Sequence, residues 1–455
     1  MICIPAAGCY SSSGRNEADS PDAGLELDDG LDAAADDAGE PEIDASCLDR
    51  DGDGFRDSAC GGTDCDDTRG DVYPGAPEVC LDDIDNDCDG LVDGPMLLAD
   101  DLVVADGLNV GDPPALLWTG EEFVLAWSQR AGIRLARISA TGDRVEREVP
   151  VAEDAGALGE ISLAWTGSDI ALAWAAWSEE YHEIYFALVS AAGDRIAAPV
   201  RVTYDPWFSA GPDVVWTGSG FAIAWIDTRL TESACTMMGC SYDIYLARLD
   251  AHGTKLGDDR RISDRTVSPG GSWAPVWMAW TGTELGVFWS WFARLRPDGS
   301  DLAPDLDLGH ASDFDMELPV WTGTEYGTLR YYWRDDAMTP EGIYFVRRGS
   351  DGAERGRSTV ETLEGGSGYS LAWTGDGYGA LWDAYEEGGG SVEFRSLTVE
   401  GEPRGSTVRV AGGTLLRISH HALVWTGREF GAVWRGRGRI GLSDAVFFNR
   451  VGFCD

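Results

Sequence analysis

Trp118-Thr-Gly-Glu-Glu-Phe-Val-Leu-Ala-Trp127 is the stretch on which the fold turns. Two short apolar runs flank Thr-Gly and two further residues, the pattern of a tight hairpin in which Gly supplies the positive φ that the turn requires. The same Trp-Thr-Gly begins at Trp118, Trp165, Trp216, Trp280, Trp321, Trp373 and Trp425. Self-similarity at about 50 residues announces a repeat fold. A second Trp follows nine residues later, at Trp127, Trp174, Trp225, Trp289, Trp382 and Trp434, while the fifth repeat carries Arg330 there. Five residues after the first Trp stands Phe123, Ile170, Phe221, Leu285, Tyr326, Tyr378 or Phe430.

Working outward, each hairpin (strands A and B) precedes an alternating run such as Ile133 to Ser139 or Asp243 to Asp250. A turn centred on Gly142, Gly193, Gly253, Gly299, Gly352 or Gly401 comes next, then a short strand D such as Pro199 to Thr203. Four antiparallel strands repeated seven times, with no helix-period pattern, predict an all-β chain: a seven-bladed β-propeller over residues 96–455. The last repeat stops after its third strand, near Asp444 to Phe448, and Asp100 to Ala105 reads as a strand D placed before the first repeat. That strand is expected to complete the last blade, closing the ring and removing both sheet edges. The regularly spaced Trp pairs are expected in the core between blades rather than on a sugar.

Ahead of the repeats, residues 47–95 have a different chemistry. Asp49-x-Asp51-x-Asp53-Gly54-x-x-Asp57 recurs as Asp85-x-Asp87-x-Asp89-Gly90-x-x-Asp93. Carboxylates at positions 1, 3 and 5 of a turn converge on one hard cation, Gly permits the bend, and the ninth position adds a direct or water-mediated ligand. These eight Asp are the expected metal ligands. The twelfth position, which in a helical EF-hand holds a bidentate Glu, is Cys60 in the first loop, so Asp64, Asp66 and Asp67 are candidates to complete a site. Oxygen donors and a segment without His point to calcium.

Asp49 to Gly54, Asp64-Cys-Asp-Asp67, Tyr73-Pro-Gly-Ala-Pro-Glu-Val-Cys80 and Asp85 to Gly90 together resemble the metal-binding motif module of bacterial secreted and surface proteins, as in MopE-like proteins. The logic is similar to that of thrombospondin type 3 calcium repeats. The resemblance implies an extracytoplasmic, cation-stabilised, disulfide-stapled module and supplies no activity. Pairing among Cys47, Cys60, Cys65, Cys80, Cys88 and Cys454 stays open, whereas Cys235 and Cys240 most simply staple the long loop that follows Trp225.

Ala6-Ala7-Gly8-Cys9 resembles the end of a bacterial lipoprotein signal, in which a Cys behind small residues is lipidated. Residues 1–9 read as a remnant of such a signal and Cys9 as its lipidation site, although Ala6 stands where Leu is usual and no basic start or apolar run precedes it. Residues 10–46, acidic and rich in Ser, Gly and Ala, read as a disordered linker. The chain is thus expected to be extracytoplasmic, either secreted or a monomeric surface lipoprotein whose membrane contact is the lipid alone.

Charge narrows the partners. The formal net charge is −45, of which residues 1–94 hold −23. Such a surface repels phosphate backbones, so nucleic acid is not an expected partner.

Strand alternation puts the short A–B and C–D turns on one face and the variable B–C and D–A loops on the other, where a rigid scaffold usually carries recognition. Candidate ligand residues there are Trp177, Tyr181, Trp207, Phe208, Trp273 and Tyr385, accompanied by His182, Tyr204 and Glu386. Aromatics beside carboxylates suit a carbohydrate or protein ligand.

No Gly-x-Ser-x-Gly, His-Glu-x-x-His or phosphate-cradling loop occurs, and the adjacent His420 and His421 of one strand point to opposite faces. The expected function is non-enzymatic binding at the cell surface. The alternatives are a structural envelope or matrix component without a specific ligand, and a glycoside hydrolase or lyase using paired loop carboxylates.

Overall fold

The computed structural model describes residues 49–77, 79, 84–90, 94–108, 114–129, 132–153, 157–178, 181–229, 241–263, 276–308, 317–333, 340–362, 368–386, 389–412, 415–438 and 444–453. Cys9, the linker, Cys47, Cys80, Asp93, Cys235, Cys240, Trp273 and Cys454 lie outside them, as do the side chains of Tyr385, Glu386 and His420.

Seven antiparallel sheets follow one another along the chain. In the first blade the strands are Ala115–Trp118, Phe123–Gln129, Gly132–Ile138 and Val145–Ala152, paired in that order. The A strands neighbour one another in a closed cycle, from Ala115–Trp118 through Ala157–Trp165 and round to Leu415–Trp425. The fold is therefore a seven-bladed β-propeller with its A strands around the axis.

The hairpin chemistry is the same in every blade. The first Trp pairs across the turn with the apolar residue five positions on, from Trp118 with Phe123 to Trp425 with Phe430. Each Thr N–H donates to the carbonyl three residues later, as Thr322 does to Glu325 at 2.9 Å. The Thr hydroxyl donates to the same carbonyl at 2.9 Å and accepts the Glu325 N–H at 3.1 Å, so one side chain satisfies a turn that Gly323, at φ 104°, makes possible.

Packing follows from this register. The second Trp of six blades is buried, and Trp225 and Trp434 are 0% exposed. The first Trp is half-buried and leans on its cross-strand partner, at 4.6 Å between the ring centroids of Trp373 and Tyr378. Adjacent blades meet through strand C and strand B aromatics, as in Phe186 against Phe221 at 5.0 Å and Phe394 against Phe430 at 5.0 Å.

The seventh blade combines both ends of the described chain. Its strands Leu415–Trp425, Phe430–Gly438 and Asp444–Phe453 are completed by Leu102–Leu108, which places Leu102 opposite Phe448 and Leu108 opposite Asp444. Pro95–Leu97 extends this edge, with Pro95 opposite Phe453. Between the two pieces, Asn449 is buried and donates its amide to Ala99 O and Asp101 Oδ1, each at 2.9 Å. Closure by the N-terminal strand is as expected, and it begins at Pro95, before the Asp100 that the sequence pattern marked.

Candidate metal centre and the aromatic face

Each Asp-rich loop is organised by its first carboxylate. Asp49 accepts the Gly52 N–H at 2.7 Å on Oδ1 and the Gly54 N–H at 2.9 Å on Oδ2. Asp85 does the same for Asp89 N at 3.0 Å and Gly90 N at 2.8 Å. Gly52, Gly54 and Gly90 hold φ values of 88°, 102° and 90°, which brings the alternating carboxylates to one side of the turn.

Three carboxylate groups result, each with one oxygen per residue lying within 4.8 Å of the others: Asp49, Asp51 and Asp53; Asp85, Asp87 and Asp89; and Asp51, Asp64 and Asp67. The last group joins the first loop to the run that follows it. Asp64 is 0% exposed and Asp67 5%. Asp57 joins none of these groups; it caps the short 3-10 turn Ser58–Cys60 and accepts the Ala59 N–H at 2.8 Å. Asp66 turns instead to the Thr68 hydroxyl at 2.5 Å.

The donors fit a cation. Asp51, Asp53 and Asp64 each keep a buried Oδ2 without a hydrogen-bond partner, and no Lys or Arg among the described residues forms an ion pair with them. Burial raises the Asp64 carboxyl above its ordinary value; the Asp66 N–H opposes this, while the charges of Asp53, Asp51 and Asp67 add to it. Crowded carboxylates with spare lone pairs are the environment that a hard ion relieves. Cys65 and Cys88 form a disulfide across 23 residues, so neither offers a thiolate, and Cys60 is disulfide-bonded too. Among the described residues of the module, Phe55 and Tyr73 stack at 5.5 Å and Val72 and Ala76 are buried.

On the variable face the structure brings four of the six candidate ligand residues into one cluster. Trp177 meets His182 edge-on at 4.1 Å, His182 packs on Phe208 at 4.3 Å, and Tyr181 lies 6.3 Å from Trp207. Burial pushes His182 down to about 4, so the ring is neutral at pH 7. Trp177 is 49% exposed and Tyr204 is 69% exposed, with the Arg201 guanidinium 4.8 Å over the Tyr204 ring. Trp177 also borders a cleft of about 450 Å³ between the first and second blades, formed with Glu153, Trp174, Tyr185, Arg195 and Pro199.

Polar groups near the axis went unread in the sequence. Asp213 accepts from Ser162 Oγ at 2.5 Å and from Met278 N at 2.6 Å, linking the A strands of three blades, and burial pushes it up to about 6. In the fifth blade, Arg330 replaces the core Trp and lies 3.7 Å from Glu317, which Arg348 grips through Nε at 2.6 Å and Nη2 at 2.5 Å. The missing Trp was the only signal for this trio.

Ser370, His421 and Asp383 resemble a hydrolytic triad in composition, with Ser370 Oγ 3.1 Å from His421 Nδ1 and Asp383 3.8 Å from Nε2. All three are buried, and Ser370 Oγ also donates to His421 O at 2.8 Å. The arrangement joins the sixth blade to the seventh and presents no nucleophile to solvent.

Residues 64–94 match the family model Cu-binding_MopE, described as "Putative metal-binding motif". No curated protein matches the chain in sequence. Similar solved structures include a protein of unknown function from Dyadobacter fermentans DSM 18053, at 11% identity over 79% of this chain and 99% of that one, with a TM-score of 0.45. Polysaccharide lyase Uly1 matches at 10% identity over 77% and 91%, TM-score 0.45, and puromycin hydrolase at 14% over 74% and 52%, TM-score 0.42. At these values the likenesses carry no argument about activity.

Proposed function

We propose that the chain is an extracytoplasmic binding protein, secreted or anchored through a lipid on Cys9, whose propeller takes a carbohydrate or protein ligand on its variable face. The observation that carries the reading is the exposure of Trp177 and Tyr204, the two exposed large aromatics among the described residues, in a fold that buries the second Trp of six blades. Large rings held half out of a rigid surface, with Trp177 beside a cleft of small-ligand size, are a recognition feature rather than a packing one. Glu153 and Arg195 at the cleft supply opposite charges and suit a ligand without net charge of its own.

The module would hold calcium through Asp49, Asp51, Asp53, Asp64 and Asp67, and through Asp85, Asp87 and Asp89. Its donors are carboxylates; imidazole is missing from residues 47–94 and both described disulfide sulfurs of the Cys65–Cys88 pair are spent, so the set suits calcium better than the copper of the family name.

Arrays of neutral glycans and of peptides, followed by calorimetry, test the binding reading. Trp177→Ala is expected to weaken a true ligand by roughly 1–3 kcal/mol, the range for loss of a buried aromatic contact. Binding untouched by Trp177→Ala and Trp207→Ala together, or binding that travels with residues 47–95 alone, refutes it. The metal reading is tested by calcium and copper titrations of the full chain.

A further inference from the structure

The module is built into the ring at one place. Asp89, a member of the second carboxylate group, accepts the Ser406 N–H on Oδ2 at 2.7 Å. Ser406 lies near the start of the sixth blade's outer strand, Pro403–Ala411. Six residues beyond Asp89 the chain enters Pro95–Leu97, the outer edge of the seventh blade. Leu97 packs into a core cluster that includes Phe394 and Val410 of the sixth blade and Phe430 and Val451 of the seventh. The segment therefore touches the outer strands of two adjacent blades, and the second is the blade completed by the N-terminal strand.

The same short segment is wired to the buried carboxylates. Cys88, next to Asp89, is bonded to Cys65, next to Asp64. Tyr73 N donates to Asn86 O at 2.8 Å and Gly75 N to Asp87 O at 3.1 Å, so the two halves of the module are joined by backbone as well as by the disulfide. A change in order at Asp51, Asp64 and Asp67 reaches Asp89 through a covalent link and two backbone hydrogen bonds.

From this geometry we infer that the metal module is a clasp across the seam between the sixth and seventh blades, and that cation loading of the module is read out as stability of the closed ring. The loading half rests on the calcium reading above; the clasp itself rests on the Asp89–Ser406 bond and the Pro95–Leu97 edge. A ring closed by a short N-terminal strand is weakest where that strand can peel away, and a second attachment at its start removes that route.

The test uses the full chain. Thermal unfolding is measured in millimolar calcium chloride and in chelator, together with hydrogen exchange of Asp444–Phe453. Wild type is expected to melt higher with calcium by roughly 2–4 °C, the scale of a small stability gain in a large domain, with slower exchange at Val451 to Phe453. Ser406→Pro removes the donated N–H and keeps every carboxylate; Asp89→Ala removes the acceptor and leaves the sixth blade untouched. Both are expected to lower melting and speed exchange at that edge, and Ser406→Pro to bind calcium with little ring response. If calcium binds and neither variant reduces the response, the clasp is wrong. If calcium does not bind but both variants still loosen the edge, the clasp stands and the calcium reading falls.

Discussion

The module and the propeller both bury carboxylates, and they house them in opposite ways. In the propeller the acids drawn inside have internal counterparts among the described residues: Glu317 has Arg348 and Arg330, Asp243 has Arg261 at 2.7 Å, Glu183 has Arg201 and Thr203, and the part-buried Asp213 has the Ser162 hydroxyl and the Met278 N–H. In the module Asp51, Asp53 and Asp64 face one another with oxygens left over. An acid whose partner is encoded in the chain belongs to the fold, whereas an acid left with spare lone pairs among its own kind is waiting for something from solution. The blades are held by apolar burial and can absorb a few ion pairs; the module has little apolar surface and depends on cross-links and charge.

The largest test separates the regions by removal. Deleting residues 1–94 takes away the module and keeps Pro95–Leu97 and Leu102–Leu108, so a folded, monomeric ring is expected, somewhat less stable than the full chain. Deleting 1–108 strips the outer strand from Asp444–Phe453 and exposes a sheet edge, and light scattering is expected to report aggregation. Equal solubility of the two truncations would show that the N-terminal strand is not needed for closure.

Next comes the removal of a single encoded counter-charge. Glu317→Ala leaves Arg330 and Arg348 buried without their carboxylate, which costs about 3–5 kcal/mol, and chemical denaturation should show the midpoint falling accordingly. A loss under about 1 kcal/mol would mean that water reaches the trio and that the contrast with the module is overstated.

Those two regions were not equally legible. The blades could be read because a hairpin imposes its chemistry locally: Trp, Thr, Gly and the apolar residue five on are fixed by one turn, and seven copies give the architecture. Asp51 and Asp53 were legible for the same reason, since a loop with alternate carboxylates converges by itself. Asp64 and Asp67 could only be named as candidates, because their approach to Asp51 depends on how the chain returns. Asp57 satisfied the loop pattern yet serves as a cap, because a side chain one residue before a 3-10 turn finds free N–H groups at once. The Ser162–Asp213 link joins strands far apart in sequence and nothing local marks it, while the Glu317 trio is marked only by Arg330 standing where the other blades carry Trp.

Asp213 gives a pH test inside the propeller. Its pKa is raised from 3.8 to about 6, so the folded state holds its proton more tightly than the unfolded state. The stabilisation is complete below about pH 4 and is lost as pH rises through about 6, which makes the ionised residue a liability at neutral pH. A shift of this size corresponds to at most about 3 kcal/mol, and partial access at the axis reduces it to roughly 1–2 kcal/mol. Asp213→Asn, which imitates the protonated form, is expected to flatten that part of the pH profile. Identical wild-type and variant profiles between pH 4 and 7 would place the carboxylate in contact with solvent.

The smallest effect has the most telling sign. Asp64→Asn removes one charge from a group that already holds Asp51, Asp53 and Asp67, so in chelator the variant module should resist proteolysis modestly better than wild type. Adding calcium should reverse the order, because wild type gains a ligand-bridging ion and the variant has lost an anionic donor. The same kind of change at Glu317, a carboxylate with encoded partners, can only destabilise. Should Asp64→Asn weaken the module in chelator as well, its carboxylate would have to be serving the fold itself, and the division between acids that complete a structure and acids that await a cation would no longer follow the boundary between module and ring.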